Sequence, residues 1–282
     1  MLDVRVSENE IRFGESVTIG FERTLRIPAD GRPYRVPPGL DVFPLYRVED
    51  YAERVPASWR CGEGLFLPLY QREAVWITFS GRWWKPSAVK VAVGTINAVT
   101  GELWKDGLCG SPQDYIVVPE QPWLGGVAAG QGYIRQLVAA PLRPGPATTG
   151  QMTDEEESGR VQITVFEPKP GRFPDTPPIT TWRPAQDAQC LMACRPAAGT
   201  CRICGTPVRQ RVHPDEHGLD AWDLDSAGTV TVHLVNTATF REITGASPPT
   251  TPISRRHYAQ FRLPWLDSYA ESPREQPSAR RA

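Results

Sequence analysis

The chain has 282 residues, and its 31 Lys and Arg nearly balance its 32 Asp and Glu, which leaves a formal net charge of -1 at pH 7. This balance gives no global field of the kind that attracts nucleic acid or an anionic membrane face. No stretch of 18 apolar residues is present, so the sequence predicts no membrane span. The N-terminus also lacks the basic and apolar regions of a signal peptide, and we therefore expect a soluble, cytoplasmic protein.

The 29 prolines and 24 glycines predict many short elements joined by long loops. Runs rich in β-branched and aromatic residues predict strands between these breaks. The predicted strands are 11–27 (a pair that turns at Gly14-Glu15), 74–80, 88–95 with 96–103 as a hairpin, 115–118, 133–140, 161–166 and 230–235. Residues 119–132 and 141–159 are predicted loops.

Helical spacing and capping residues predict a few short helices, at 46–59, 185–194, 236–243 and 254–261. Asn236 or Thr237 would lie near the N-cap of the third of these helices. The predicted fold class is therefore mainly β, an antiparallel sandwich-like core with a few short helices, mostly after residue 185. We expect one β-rich domain over residues 1–269, with an insertion at 185–212 and a disordered tail at 270–282.

Four stretches carry a resemblance to a known family: the block 66–142, HGLDAWDLD at 217–225, VHLVNTATFREITG at 232–245, and PPTTP with LPWLD within 248–267. They resemble a family of bacterial and fungal proteins of unknown function that often bears the name integral membrane protein. The resemblance implies a soluble, mostly β protein with no assigned activity. Family members have Pro-Trp-Leu-Asp-Gly where this chain has residues 122–126 as Pro-Trp-Leu-Gly-Gly, which removes one acid from the loop.

The strongest chemical signal is a cysteine cluster, Cys190, Cys194, Cys201 and Cys204. Two closely spaced pairs of thiolates are typical of a structural, tetrahedral zinc site, and a zinc ion would hold the 185–212 insertion together. A rival ligand set is Cys201, Cys204, His213 and His217. Free thiols and a redox pair at Cys201 and Cys204 are further alternatives.

An acidic run follows the cysteines, with carboxylates at Asp215, Glu216, Asp220, Asp223 and Asp225. Carboxylates at this density could hold calcium or magnesium. The run lacks the spacing of an EF-hand loop, and a solvated turn with one or two capping side chains is the simpler interpretation.

Amide, aromatic and charged side chains gather in the central part of the sequence. A saccharide or peptide groove would use such side chains, and the candidate binding residues are Asn97, Gln113, Tyr115, Gln121, Trp123 and Gln136. Asp114 and Glu120 could act as a glycosidase-type acid pair, with Arg135 nearby. A loop packed by Trp123, with Glu120 satisfying main-chain donors, is the structural alternative.

The sequence contains no dinucleotide-binding glycine motif, P-loop, nucleophile elbow or His-Glu-x-x-His motif. We therefore expect a non-enzymatic binding or assembly protein, with a protein partner or a second copy of the chain as its partner. The alternative is a hydrolase that acts on a saccharide or peptide and uses Asp114 and Glu120 as acid and base. A pocket that gathers Asp114, Glu120 and Arg135 would favour the enzyme.

Overall fold

The computed structural model describes residues 2–27, 37, 39–60, 64–130, 134–139, 159–178 and 210–265. Within this part the chain forms two packed β-sheets and one small two-stranded sheet. The strands are β1 (Val4–Val6), β2 (Glu10–Phe13), β3 (Val17–Leu25), β4 (Gly39–Val42), β5 (Tyr46–Arg47), β6 (Gly64–Leu69), β7 (Glu73–Gly81), β8 (Ser87–Val93), β9 (Ile96–Asn97), β10 (Ile116–Val118), β11 (Trp123–Leu124), β12 (Gly126–Ala128), β13 (Ile134–Gln136), β14 (Arg160–Pro168) and β15 (Trp222–Asn236).

The first sheet has the strand order β1-β2-β3-β7-β11, with β4 beside β3. The second sheet has the order β10-β8-β14-β15-β6-β5, with β9 beside β8, and β12 pairs with β13. Every pair is antiparallel except β6 with β15, which run parallel with Leu65 opposite Val232. The predicted fold class, a mainly β and largely antiparallel sandwich, is confirmed, and the parallel pair is an addition to it.

The main core lies between the two sheets. Alternate residues of each long strand point inward, as Val161, Ile163 and Val165 do in β14, and each of these three is fully buried. They join one apolar cluster with inward residues of the first sheet, such as Phe21 and Ile77. This pattern of two inner faces that share a core is that of a β-sandwich.

Most predicted strands correspond to strands in the structure, with shifted ends. The β2–β3 turn lies at Gly14, whose φ of 52° is a conformation that glycine adopts readily. The hairpin of β8 and β9 turns at residues 94–95, because Val93 pairs with Ile96, and not at residues 99–102 as the sequence predicts. The strand predicted at 133–140 is shorter, since beyond β13 only a single bridge joins Leu137 to the first sheet among the described residues.

Both α-helices of the described part lie after residue 185: α1 (Thr237–Thr244) and α2 (Arg255–Gln260). Of the two residues predicted near the N-cap, Asn236 caps α1, because its side chain accepts hydrogen bonds from two main-chain amides. The helix predicted within 46–59 is present as two short 3-10 helices, Glu49–Tyr51 and Ala57–Arg60, and a third 3-10 helix is Leu219–Ala221. None of these helices has the length and apolar content that a bilayer crossing requires.

Three features of the predicted organisation fall outside the described residues. They are the 185–194 helix, the tail at 270–282 and, apart from Gly159, the loop at 141–159. Most of the 185–212 insertion also falls outside, and its last residues, 210–212, are described below.

An aromatic cluster covers the outer face of the second sheet beside α1. His233 of β15 lies in this cluster, is 5% exposed, and stacks on Trp59 with ring centroids 3.9 Å apart. Burial, with a smaller contribution from Arg160, lowers the pKa of His233 to about 4. His233 is therefore neutral in the folded protein at neutral pH.

The neutral His233 predicts acid-sensitive stability. An unfolded histidine titrates near pH 6.5, so between about pH 6.5 and pH 4 the unfolded chain binds a proton that the folded chain does not. Stability should fall by roughly 3 kcal/mol as the pH drops through this window, at about 1.4 kcal/mol per pH unit. His233→Phe keeps a ring against Trp59 and removes the titration. Urea unfolding at pH 7 and pH 4.5 should show a smaller loss in this variant, and an equal loss would contradict the prediction.

Candidate functional site

A buried lysine organises the surface on which the predicted site residues lie. Lys90 is the central residue of β8 and is 0% exposed. Its ammonium group donates three hydrogen bonds of 2.6 Å, to the main-chain oxygens of Lys105 and Gly107 and to Asp114 Oδ2. These bonds use all three ammonium protons. The Trp104 ring centroid lies 4.6 Å from Nζ, so the charge also has a cation–π contact.

Asp114 and Asn97 continue this network into the neighbouring turns. The second carboxylate oxygen of Asp114 accepts a hydrogen bond from the Cys109 amide at 2.8 Å. The Asn97 side chain donates to the Asp114 main-chain oxygen at 2.7 Å and accepts from the amides of Val99 and Thr100. Asn97 is 2% exposed. Both predicted site residues are thus engaged in holding the chain's own turns.

Gln113 and Gln121 bind a distant part of the chain, which we call the 210–217 segment. Gln113 donates to the His213 main-chain oxygen at 3.0 Å and accepts from the Asp215 amide at 2.8 Å. Gln121 accepts from the His213 amide at 3.1 Å. The two side chains therefore satisfy main-chain groups of the segment much as a peptide-binding groove would.

The 210–217 segment also provides an amide side chain of its own. Gln210 accepts a hydrogen bond from the Gly125 amide at 2.7 Å and donates to the Gly126 main-chain oxygen at 3.4 Å. A Cβ at either glycine would meet heavy atoms closer than 3.0 Å, including Arg135 main-chain atoms at Gly126. The absence of a side chain at Gly125 and Gly126 therefore allows this close packing.

The other predicted binding residues are also used within the fold. Gln136 accepts from the Ile27 amide at 2.8 Å and donates to the Leu25 main-chain oxygen. Trp123 is 9% exposed, and its ring lies 6.0 Å from that of Trp76. Tyr115 is 1% exposed. The amides and aromatics selected from the sequence therefore do stabilise a loop region, and the structure shows their partners to be internal.

Asp215 anchors the end of the 210–217 segment. Its carboxylate accepts hydrogen bonds from the Tyr115 hydroxyl, the Trp222 indole and the His217 amide. Burial raises the pKa of Tyr115, and the nearby Asp215 raises it further. Partial burial alone would raise the pKa of Asp215, but these hydrogen bonds outweigh it and lower the pKa below its usual value.

Glu120 lies beside a histidine at the surface. Its Oε1 is 4.0 Å from His217 Nε2, and its side chain is 43% exposed. Partial burial raises the pKa of Glu120, and the adjacent His217 opposes this shift. The His217 ring has edge-on contacts with Phe173 and Trp222.

The structure does not bring Asp114, Glu120 and Arg135 together. Asp114 binds Lys90, Glu120 lies beside His217, and Arg135 pairs with Val127 across β12 and β13. Asp114 precedes the three-residue strand β10 and Glu120 lies in the turn that follows it, where the Gln121 amide donates to the Val117 main-chain oxygen. The two carboxylates thus belong to different polar clusters.

The four cysteines of the predicted zinc site lie outside the described residues. Of the rival set, the His213 main chain is held by Gln113 and Gln121, and the His217 ring lies against Phe173. In the described ranges no group of three or more His, Cys, Asp or Glu side chains could hold a metal ion. The zinc site therefore stays a prediction.

The acidic run forms no common ligand cluster within the described part of the chain. Asp215 is an internal anchor, and Asp223 accepts a hydrogen bond from the Asp225 amide at 3.1 Å. Asp220 lies 3.7 Å from Arg172. The interpretation as a turn fits residues 215–221 only, because Asp223 and Asp225 lie in β15.

Two open grooves were not predicted from the sequence. The larger, of about 530 Å³, lies beside the 210–217 segment. It is lined by Val99, Thr100, Glu102, Pro112, Gln113, Arg211, Val212 and Pro214. The other, of about 380 Å³, lies on the outer face of the first sheet. It is lined by Ser7, Glu8, Asn9, Glu10, Thr18, Gly20, Val42, Thr78, Phe79 and Ser80. Gln113 belongs both to the larger groove and to the hydrogen-bond network, so that groove has a fixed wall.

Sequence reasoning missed Lys90, Gln210 and Val212. A lysine inside the apolar run AVKVAV was a signal for Lys90, because a charge in a buried strand needs a partner. No local pattern marks Gln210 or Val212, whose contacts depend on residues more than 80 positions away.

Comparison with protein-family models, curated proteins and solved structures finds no match for this chain. The resemblance described above therefore stays a prediction.

The hydrogen bonds of Gln113 predict a stability effect. Gln113→Leu should lower the free energy of unfolding by about 1–3 kcal/mol, because it leaves the His213 oxygen and the Asp215 amide without their partner. Amide exchange at Asp215 should become faster. Gln260→Leu, at an exposed position of α2, is the matched control and should have little effect. Equal unfolding free energies of the two variants would contradict this role.

Replacing Trp123 should lower the free energy of unfolding more than replacing Gln113. Because its ring is nearly buried against Trp76, Trp123→Ala should destabilise the protein by about 3–5 kcal/mol. Thermal and urea unfolding measure this change. An unchanged melting temperature together with lost ligand binding would instead make Trp123 a residue that contacts ligand.

Proposed function

We propose that the protein is a cytoplasmic, non-enzymatic binding or assembly protein, and that its partner binds in the groove beside the 210–217 segment. The observation that supports this proposal is the groove itself, with a volume of about 530 Å³ and a mixed apolar and polar lining. Pockets of this size, with a few convergent polar groups, are typical of binding sites. A protein partner or a second copy of the chain is the proposed ligand, and no nucleic acid is proposed.

The walls of this groove are preorganised. Gln113 is fixed by its bonds to His213 and Asp215, and Thr100 is fixed through its amide by Asn97. Side chains that are already ordered lose little conformational entropy when a partner binds. This favours binding without a large rearrangement of the protein.

The hydrolase alternative has less support. It requires Asp114 as a partner of Glu120, but the carboxylate of Asp114 is occupied by Lys90 and the Cys109 amide. Glu120 has a raised pKa, which suits a general acid, but the carboxylates that contribute to this shift are those of Glu216 and Asp215 and not that of Asp114. We therefore make hydrolysis an outcome of the test below.

The test compares two groove-filling variants. Pools of short peptides and of oligosaccharides are mixed with the wild-type protein, with Thr100→Trp, which fills the proposed groove, and with Thr18→Trp, which fills the other groove. Native mass spectrometry measures binding and any change in ligand mass. The proposal predicts an intact ligand that binds wild-type and Thr18→Trp alike and binds Thr100→Trp at least about tenfold more weakly.

Two results would contradict the proposal. One is ligand binding that Thr100→Trp leaves unchanged. The other is cleavage of a ligand by the wild-type protein that is lost in the Glu120→Gln variant. Glu120 does not line the groove, so removing its acidic proton should not affect simple binding there.

We further propose that Cys190, Cys194, Cys201 and Cys204 bind one structural zinc ion, with Cys201, Cys204, His213 and His217 as the alternative set. Such a site would supply local folding energy, so chelation or Cys204→Ser should loosen the 185–212 insertion and leave the β core folded. Elemental analysis of protein purified without chelator should give one zinc per chain. A content well below one, with four freely titrating thiols, would contradict the proposal.

A further inference from the structure

The 210–217 segment has two different edges. The amide and the carbonyl oxygen of His213 both point toward Gln121 and Gln113, and so does the amide of Asp215. Main-chain groups of alternate residues point in the same direction in an extended chain. The segment is therefore extended at this point, with residues 213 and 215 facing the glutamines.

The intervening residues, Val212 and Pro214, face the opposite way. Among the described residues, no hydrogen bond reaches the amide or carbonyl oxygen of Val212 or the carbonyl oxygen of Pro214. Both residues line the open groove of about 530 Å³. The groove thus contains one edge of an extended chain whose hydrogen-bonding groups are not used by the other described residues.

We propose that this groove binds an extended peptide segment of a partner protein, which pairs with the main chain of Val212 as an added strand. The inference rests on the proposed binding function of the same groove and names its ligand class. Strand addition to an unpaired edge is a general mode of peptide recognition, in which main-chain hydrogen bonds supply affinity and neighbouring pockets supply specificity.

The groove favours this ligand over a compact one for two reasons. First, Gln113 and Gln121 hold the opposite edge of the segment by hydrogen bonds. The main chain of Val212 is therefore already ordered before a peptide binds. Second, Val99 and Val212 are partly buried against the main core and offer an apolar floor, while Arg211 and Glu102 place opposite charges in the lining. A β-branched side chain flanked by polar residues fits this combination.

The test uses an acetylated and amidated hexapeptide of alternating threonine and valine as its probe. Nuclear magnetic resonance with hydrogen exchange follows the Val212 amide of the full-length protein, and titration calorimetry measures affinity. The proposal predicts that the probe slows exchange of the Val212 amide while the His213 amide, which is already bonded, changes little. A probe that fails to bind wild-type protein at millimolar concentration would overturn the proposal.

Val212→Pro removes the amide proton, and an extended chain accommodates proline. Val212→Ile is the matched control, because it keeps the amide and the apolar side chain. The first variant should weaken probe binding by about tenfold and the second by less than about twofold. Equal affinities of the two variants would overturn main-chain pairing. If Thr100→Trp nonetheless abolished binding of a ligand from the pools, the proposed function of the groove would still stand.

Discussion

Lys90 carries a positive charge to a position in β8 with no exposure to solvent, and removing an ammonium group from water costs several kcal/mol unless its partners replace that water. The partners are two main-chain oxygens and Asp114. All of them come from the loop between β9 and β10, so this loop must fold over the second sheet in one arrangement. Replacing a buried ion pair with apolar residues is often neutral for stability. We therefore attribute the importance of the Lys90–Asp114 pair to the way it positions the loop between β9 and β10.

A chain of hydrogen bonds connects the loop held by Lys90 to the groove. Asp114 receives the Asn97 side chain and lies between Gln113 and Tyr115 in the sequence. Gln113 then holds His213 and Asp215, and Tyr115 holds Asp215. The 210–217 segment, and with it the open edge at Val212, is therefore positioned by groups more than 90 residues away in sequence.

The sequence predicted the parts of the fold that depend on local pattern. A run of β-branched and aromatic residues marked β14, and the polar residues before an apolar helical run narrowed the cap of α1 to Asn236 or Thr237, because both signals lie within a few residues. The parallel pairing of β6 with β15 was not predicted, since Leu65 and Val232 are far apart in sequence and strand pairing leaves no local mark.

The candidate site shows the same limit in its chemistry. Residue type suggested that Gln113 and Gln121 bind a saccharide or peptide, and it could not show that they bind the protein's own main chain. The same holds for Asp114, because the sequence does not show that its carboxylate is bound by Lys90 and not by a ligand. Amides and carboxylates have the same appearance in a sequence whether they bind a ligand or a distant loop, and only the fold distinguishes the two.

The most direct measurement is hydrogen exchange of Lys90→Met, detected by mass spectrometry and compared with the wild-type protein. If the buried pair positions the groove, amides in residues 95–121 and 210–217 should lose protection, while β3 and β7 in the first sheet keep theirs. Unchanged protection in 210–217 would contradict this role. Uniform loss across both sheets would contradict it as well, because Lys90 would then support the whole fold and not the groove.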